Sequence, residues 1–268
     1  MYHTIGFIGT GTMGTVLARA ASKGSPDSRL FFANRTPSKA QALAEELGGT
    51  AVSNEEIAQT CSLIFLGVKP QMMEEMLQGI APALAARKDR FVLATLAAGL
   101  KARRIQELAG LDCPVIRLMP NTPAAVGCGV IQVCGLGVSE GELAAFQTLL
   151  APAGLVDPVG EGLIDASSAL SGCGPAFCAL FLEGLADGGV ACGLPRDKAL
   201  AYAAQTMMGT ARLMMQTGVH PGELKDGVCS PGGSTIQGVR ALERAGVRSA
   251  ALEAVTAAFE KTLELGKR

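Results

Sequence analysis

Gly6-Phe-Ile-Gly-Thr-Gly-Thr-Met-Gly14 is the stretch of this chain that decides its fold. It follows a short apolar segment, residues 2–8, that predicts a strand, and it leads into a helical run at residues 16–21. A strand, Gly-x-Gly-x-x-Gly and a helix in this order are typical of a dinucleotide-binding unit. In that unit the first glycine makes the turn, the second lets the backbone approach a pyrophosphate, and the third lets the helix pack on the strand. These are Gly9, Gly11 and Gly14.

The second predicted strand, residues 30–33, ends in Asn34-Arg35-Thr36. An enzyme that uses NAD places an acidic residue at this point, about 20 residues beyond the glycines, to bind the ribose 2′-hydroxyl. This segment has no acid. Arg35 can pair with a 2′-phosphate, and Asn34 and Thr36 can donate hydrogen bonds to it. The sequence therefore predicts NADPH as cofactor, with NADH as the alternative that stays open.

Strands and helices alternate up to about residue 158, which predicts a doubly wound parallel sheet. The carboxyl ends of such strands line the cofactor crevice. One predicted strand ends at Val68-Lys69-Pro70, a second at Ala97, and a third at Asn121-Thr122. Lys69 is either functional or a solvated strand-end lysine. Asn121 and Thr122 offer hydrogen-bonding groups to a nicotinamide or a substrate.

Beyond residue 158 only helical patterns remain. We expect an α/β chain with an N-terminal Rossmann-type domain at residues 1–158, followed by an all-α domain at 159–268. A long helix is predicted over 163–190, with a break at 172–175, and a second over 195–217. Because the helical part is rich in alanine and glycine, its own apolar volume is limited. We infer that it buries its faces against a second copy of the chain.

Composition excludes several classes of function. The formal net charge of −1 over 268 residues gives no electrostatic reason to expect nucleic acid or an acidic membrane surface as partner. The eight cysteines include no Cys-x-x-Cys pair, which favours reduced thiols in the cytoplasm over disulfides or a metal site. Two uncharged spans, 118–138 and 166–182, contain prolines, and no signal peptide is expected at the start. We expect a soluble cytoplasmic protein.

The segment Cys229-Ser-Pro-Gly-Gly-Ser-Thr-Ile-Gln237 predicts a turn that runs straight into a helix. Ser234 and Gln237 have the spacing of a capping box, so the helix is expected to start at Ser234. The amides of a first helical turn have no partner inside the helix, and the helix dipole adds positive charge there. A small carboxylate can bind at such a place. The alternative is a capped junction between loop and helix without a ligand.

Five motifs together give the chain a resemblance to a known family. The glycine fingerprint, Asn34-Arg35, Val68-Lys69-Pro70, Asn121-Thr122-Pro123 and Ser230-Pro-Gly-Gly-Ser-Thr235 resemble those of pyrroline-5-carboxylate reductase, in order and over essentially the whole chain. The resemblance implies hydride transfer from NAD(P)H to the C=N bond of 1-pyrroline-5-carboxylate, giving L-proline. It also implies an interlocking dimer of the helical domains, often assembled into decamers.

The resemblance further implies the site residues. Ser234 and Thr235 would hold the substrate carboxylate through backbone amides, and the Thr235 hydroxyl would act at the ring nitrogen as the catalytic group. The expected substrate contacts are Ser230, Gly232, Gly233, Ser234, Thr235 and Asn121. The expected cofactor contacts are Gly9, Thr10, Gly11, Thr12, Met13, Gly14, Asn34, Arg35, Asn54, Val68, Lys69, Pro70, Ala97 and Asn121.

Two other functions stay open at this stage. β-Hydroxyacid dehydrogenases have a similar N-terminus but carry a catalytic lysine on the long helix after the first domain. Residues 171–182 contain no lysine, and the next one is Lys198. A non-catalytic NADP-binding regulator is the third hypothesis. His3 and His220 are the only histidines and are interpreted as structural; a protonated imine accepts hydride readily without a strong acid.

Overall fold

A computed structural model describes residues 2–265 of the chain. The strands are β1 Thr4–Ile8, β2 Arg29–Ala33, β3 Thr50–Ala51, β4 Leu63–Leu66, β5 Val92–Thr95, β6 Val115–Pro120, β7 Gly129–Leu136 and β8 Gly154–Pro158. The helices are α1 Thr12–Gly24, α2 Pro37–Leu47, α3 Asn54–Thr60, α4 Met73–Ala85, α5 Ala102–Ala109, α6 Glu140–Leu150, α7 Glu161–Ser171, α8 Gly174–Ala191, α9 Arg196–Thr217, α10 Pro221–Gly227, α11 Ser234–Arg244 and α12 Val247–Leu265.

The strands form one sheet in the order β3-β2-β1-β4-β5-β6-β7-β8. The pairs from β3 to β6 are parallel, as the alternating pattern predicted. The parallel prediction was wrong for one pair, because β7 runs antiparallel to β6. Only residues 121–128 join these two strands, and a parallel neighbour needs a crossover of about a dozen residues or more. The helix α6 supplies such a crossover to β8, which is parallel to β7.

Each face of the sheet has its own apolar core. On one face four phenylalanines stack in a row, in the order Phe32, Phe7, Phe65 and Phe146, with ring centroids 5.6, 4.6 and 5.6 Å apart. Leu17 of α1 and Leu150 of α6 belong to the same core. The other face buries apolar residues of α3, α4 and α5. Because both faces are covered, the central strands are apolar without alternation.

A buried arginine ties α7 to the sheet. Arg117 lies on β6 with 1% of its surface exposed, and its Nη2 donates to Oδ1 of Asp165 at 2.6 Å. Glu161, one turn earlier on α7, accepts a hydrogen bond from the amide of Ala102 at 2.7 Å and thereby caps α5. A buried charge is tolerated only where a partner compensates it. The pair therefore fixes the position of α7 on the sheet of the first unit.

By contacts between residues the chain divides into two compact units, and the second comprises Cys173–Ala258. Its core is small: α8 and α9 bury Ala186, Ala199 and Ala203. Many large apolar side chains of this unit are exposed: Leu180, Phe181, Leu185, Leu194, Leu200, Tyr202, Met208, Leu213, Met215, Val228, Leu242 and Leu252. Apolar surface on this scale is typical of an interface with another chain.

The helix boundaries of the second half agree with the sequence patterns at two places. The predicted long helix is broken, since α7 ends at Ser171 and α8 begins at Gly174. The helix α9 ends at Gly218, which has the left-handed φ of +68° that a glycine stop provides. The short helix α10 was not predicted from the sequence.

The stretch Glu161–Ala191 is long and apolar enough to cross a membrane by length and composition only. The domain boundary at residue 158 stays a prediction.

Glu142 on α6 is held by a network of hydrogen-bond donors. Nε of Arg90 lies 2.5 Å from Oε1 of Glu142, and the amide of Ser139 donates to the same carboxylate at 2.8 Å. The Arg90 guanidinium, with the Ser139 amide, lowers the pKa of Glu142 from 4.5 to about 2. The ionised form is thus favoured in the folded chain.

Replacing Arg90 by glutamine tests this network. A lowered carboxylate pKa stabilises the fold above pH 4.5, and the stabilisation is lost as the pH falls toward 2. We expect Arg90→Gln to reduce the free energy of unfolding by about 1 kcal/mol at neutral pH, because the pair is partly solvated. In urea titrations the difference from wild type should shrink below pH 4.5. The matched control is Arg104→Gln, which breaks the exposed pair with Glu107. An equal difference at neutral and acid pH would contradict the assignment.

Candidate active site

The glycine loop between β1 and α1 is shaped by a close approach of backbones. Gly9 has φ +96°, and its amide donates to the carbonyl of Ala33 at 2.8 Å. A Cβ on Gly9 would lie 2.7 Å from the carbonyl carbon of Gly67, and a Cβ on Gly14 would collide with the carbonyl oxygen of Gly9. Gly11 has open space at its Cβ position. Each glycine therefore has the geometry that its predicted role requires.

A crevice of about 830 Å³ opens beside this loop, within the first unit. It lies at the carboxyl ends of β1, β2 and β4, where a doubly wound sheet binds its ligand. Seven of the predicted cofactor residues line it: Gly9, Gly11, Asn34, Arg35, Asn54, Val68 and Lys69. The others do not line it: Thr10, Thr12, Met13, Gly14, Pro70, Ala97 and Asn121. Their cofactor contacts stay predictions.

Two of the predicted cofactor residues make contacts within the protein. The side chain of Asn34 braces the glycine loop, because its Oδ1 accepts from the Thr10 amide at 3.3 Å and its Nδ2 donates to the carbonyl of Thr36 at 3.1 Å. Ala97 is 2% exposed and belongs to the apolar core. Asn34 therefore shapes the wall of the crevice, whereas Ala97 packs in the core beneath the sheet face.

Both basic and acidic side chains line the crevice, and they belong to different elements. Arg35 lies at one end, exposed, with its Nη1 3.9 Å from the sulfur of Met72. Lys39 also lines the crevice, and sequence reasoning missed it. The sequence did contain a signal for Lys39, because this lysine lies four residues after Arg35 and in the first turn of α2. The acidic lining residues are Glu55 and Glu75.

The buried amide of Asn121 is engaged inside the first unit. Its Nδ2 donates to the carbonyl of Ser171 at 2.9 Å, and its Oδ1 accepts from the amide of Val130 at 2.9 Å. Gln132 donates to the hydroxyl of Ser171 at 2.9 Å as well. Asn121 therefore joins β6, β7 and the last turn of α7. Its predicted contact with the nicotinamide or the substrate stays a prediction.

In the second unit, residues 230–233 form a tight turn before α11. The amide of Gly233 donates to the carbonyl of Ser230 at 3.0 Å, with Pro231 and Gly232 between them. Gly232 has φ +72°, as the third residue of a type II turn requires. A Cβ on Gly233 would collide with Oγ of Ser230, so this position accepts only glycine without rearrangement.

The predicted start of α11 at Ser234 is confirmed, but the predicted capping box is wrong. The N-cap residue is Gly233, and no side chain caps the helix. Because Ser234 is the first helical residue, its hydroxyl cannot fold back onto the amide that a cap would satisfy. Within residues 2–265 the hydroxyls of Ser234 and Thr235 have no hydrogen-bond partner in the chain. The first-turn amides and these hydroxyls are therefore available to an anion.

His220 has a structural contact. Its Nδ1 accepts a hydrogen bond from the amide of Gly222 at 3.1 Å and caps the short helix α10. The interpretation of His220 as structural is therefore supported by its geometry.

Comparison with known proteins agrees with this arrangement. Residues 161–265 match the family model described as pyrroline-5-carboxylate reductase dimerisation, and residues 4–98 match the model described as NADP oxidoreductase, coenzyme F420-dependent. The pyrroline-5-carboxylate reductase of Pisum sativum is 41% identical over 267 residues, which cover 98% of this chain and 96% of that protein. The chain belongs to the pyrroline-5-carboxylate reductase family.

The family likeness extends to bacterial relatives and to solved structures. The Escherichia coli pyrroline-5-carboxylate reductase is 38% identical over 271 residues, with 100% of both chains covered. The structure of the Coxiella burnetii reductase superposes with a TM-score of 0.90 at 29% identity, covering 97% of each chain. That of the Plasmodium falciparum reductase, solved with NADP bound, has a TM-score of 0.85 at 30% identity, covering 98% of each.

Membership of the pyrroline-5-carboxylate reductase family confirms several predictions made from the sequence. The chain has an α/β NADP-binding domain followed by an all-helical dimerisation domain, as predicted. The cofactor prediction is confirmed at the level of NADP(H). The dimerisation segment starts with α7, which Arg117 and Asn121 hold on the sheet.

The variant Gly9→Ala tests the backbone geometry of the crevice. A side chain at φ +96° is strained, and its Cβ would press on Gly67 at 2.7 Å. We expect the Kd for NADPH, measured by titration calorimetry, to rise about tenfold or more, because displacing the loop costs roughly 1–3 kcal/mol. Gly141→Ala, on exposed α6 where a Cβ meets nothing within 4 Å, is the control. An unchanged Kd in Gly9→Ala would show that the loop does not contact the cofactor.

Proposed function

We propose that this protein reduces 1-pyrroline-5-carboxylate to L-proline with a hydride from NADPH. The observation that carries the proposal is the uncapped start of α11 in a chain that also has a dinucleotide crevice. The activity is that named for relatives about 40% identical over nearly the full length. Bound NADPH supplies the hydride from its nicotinamide ring.

The first requirement is to hold the dinucleotide. The backbone at Gly9 and Gly11 lets the pyrophosphate approach the amino end of α1, where the helix dipole favours negative charge. The helix α1 has no acidic residue in its first turn to compete with that anion. Arg35 at the far end of the crevice pairs with the 2′-phosphate. The remaining cofactor residues predicted from the resemblance belong to this proposal.

The second requirement is to hold the substrate by its carboxylate. The amides of Ser234 and Thr235 and the dipole of α11 form an anion site on a rigid helix end. Ser230, Gly232 and Gly233 shape the turn that leaves these amides uncovered. A carboxylate held by two amides has a defined orientation, which lowers the entropic cost of reaching the transition state.

The third requirement is modest help at the ring nitrogen. Reduction of a protonated imine places hydride on carbon and leaves a neutral amine, so no strong general acid has to deliver a proton to the nitrogen during hydride transfer. The free hydroxyl of Thr235 can hydrogen-bond to the ring nitrogen. The Nδ1 atom of His220 accepts a hydrogen bond from the amide of Gly222, which agrees with a site that does not use a histidine.

The decisive experiment follows NADPH oxidation at 340 nm, the absorbance wavelength of the reduced nicotinamide, before and after adding 1-pyrroline-5-carboxylate. We expect oxidation only when the substrate is present. Thr235→Val should lower kcat/KM about tenfold, because the hydrogen bond to nitrogen is lost in the transition state. The Kd for NADPH should stay unchanged, and Thr235→Ser should restore most of the rate.

Different outcomes separate the hypotheses. NADPH binding without turnover would support the non-catalytic regulator. Oxidation of a β-hydroxyacid by NADP, without imine reduction, would support the dehydrogenase alternative. If Thr235→Val keeps the full kcat/KM, Thr235 has no catalytic role, while the proposed activity of the protein still stands. The control Thr210→Val changes a hydroxyl on α9 that bonds only to the carbonyl of Thr206.

We further propose that homodimers, formed through the helical domain, assemble into decamers in the cytoplasm. The exposed apolar side chains of α8 and α9 and the matched dimerisation segment support the dimer, and the resemblance alone supports the decamer. Sedimentation velocity should give ten times the chain mass of 27.4 kDa. A stable species of two chains would contradict the decamer and keep the dimer. Fractionation of the source cells tests the compartment.

A further inference from the structure

The first turn of α2 has an unfavourable charge for a helix start. The helix begins with Pro37, Ser38 and Lys39 after the N-cap residue Thr36, and the turn contains no acidic residue. The positive end of a helix dipole disfavours a cation in the first turn by about 0.3–1 kcal/mol. No side chain caps this helix either. The local sequence thus concentrates positive charge where helix stability alone would select against it.

This positive helix end faces the cofactor crevice. Lys39, Arg35 and Thr36 all line the same cavity of about 830 Å³, next to Asn34. Within residues 2–265 neither Lys39 nor Arg35 has a carboxylate within ion-pair distance. Among the described residues, the one side-chain hydrogen bond of Arg35 is to the sulfur of Met72, at 3.9 Å. Two cations without a carboxylate partner therefore line the same crevice.

The acidic and the basic residues that line the crevice belong to different elements. The acidic lining residues belong to the first turns of other helices, Glu55 to α3 and Glu75 to α4. The loop and helix start after β2 contribute Arg35 and Lys39 with no acid among residues 34–44. A phosphate dianion suits such an end, because it needs compensating charge. The ribose hydroxyl of NADH is neutral and needs no compensating charge.

We infer that Lys39 is the second cation of the 2′-phosphate site and helps to set the preference for NADPH over NADH. This inference rests on the proposed function only for the identity of the cofactor. Arg35 offers a planar fork for bidentate bonds, whereas Lys39 offers a flexible point charge. The positive end of α2 adds to both.

Binding of two small adenine nucleotides tests the inference without catalysis. Adenosine 2′,5′-bisphosphate carries the extra phosphate, and AMP lacks it. By titration calorimetry on the intact protein, Lys39→Gln should raise the Kd for the bisphosphate and for NADPH about tenfold. The Kd values for AMP and NADH should change less than about twofold. Lys39→Arg should keep most of the affinity because it keeps the charge.

A matched lysine elsewhere controls for a general change in charge. Lys88→Gln alters an exposed loop residue that does not line the crevice, and it should change none of the four Kd values. Equal loss of NADPH and NADH binding in Lys39→Gln would overturn the inference, as would no loss of either. Comparison with Arg35→Gln and the double variant shows whether both cations act on the same phosphate, since their effects then fail to add.

The binding readout keeps this inference separate from the proposed activity. If imine reduction is present but the bisphosphate and AMP are affected equally by Lys39→Gln, only the assignment of Lys39 fails. If no imine reduction occurs but the bisphosphate selectively loses affinity, the assignment of Lys39 stands and the proposed function fails.

Discussion

The close backbone approach at Gly9 is the constraint on which the nucleotide-binding unit depends. The carbonyl of Gly9 lies so near to the α-carbons of Gly14 and Gly67 that neither position has room for a side chain. This contact lets α1 start directly above the sheet and lets β4 end beside the loop. The crevice at the carboxyl ends of β1, β2 and β4 exists because these backbones are packed without side chains between them.

Open helix starts are the second feature that the site uses. The helices α1, α2 and α11 have N-cap residues whose side chains make no capping hydrogen bond: Gly11, Thr36 and Gly233. By contrast, Ser53, Ser139 and His220 cap α3, α6 and α10. An uncapped first turn costs some helix stability but leaves amides for an anion. In the proposed function, pyrophosphate, 2′-phosphate and substrate carboxylate bind at these three ends. The helices α4, α7, α8 and α9 also start without a side-chain cap, so an open start alone does not identify a ligand site.

Buried polar side chains hold the start of the dimerisation segment on the first unit. Arg117 pairs with Asp165, and Asn121 and Gln132 both bond to Ser171. These contacts join α7 to β6 and β7 across 39 to 50 residues of sequence. Each buried group has a high cost if its partner is lost, so the position of α7 is strictly defined. The antiparallel direction of β7 is what brings Gln132 beside the end of α7.

The sequence by itself determined the alternating fold, the glycine loop, the break before α8 and the start of α11, because these depend on local patterns and on backbone freedom at particular glycines. Tertiary structure alone decided the rest. The direction of β7 is shown by its antiparallel pairing with β6, and the engagement of Asn121 follows from a partner 50 residues away. The cap at α11 is Gly233 because the turn places it there. Lys39 belongs to the crevice because α2 packs beside it, and a pattern read along the chain carries no distance between such elements.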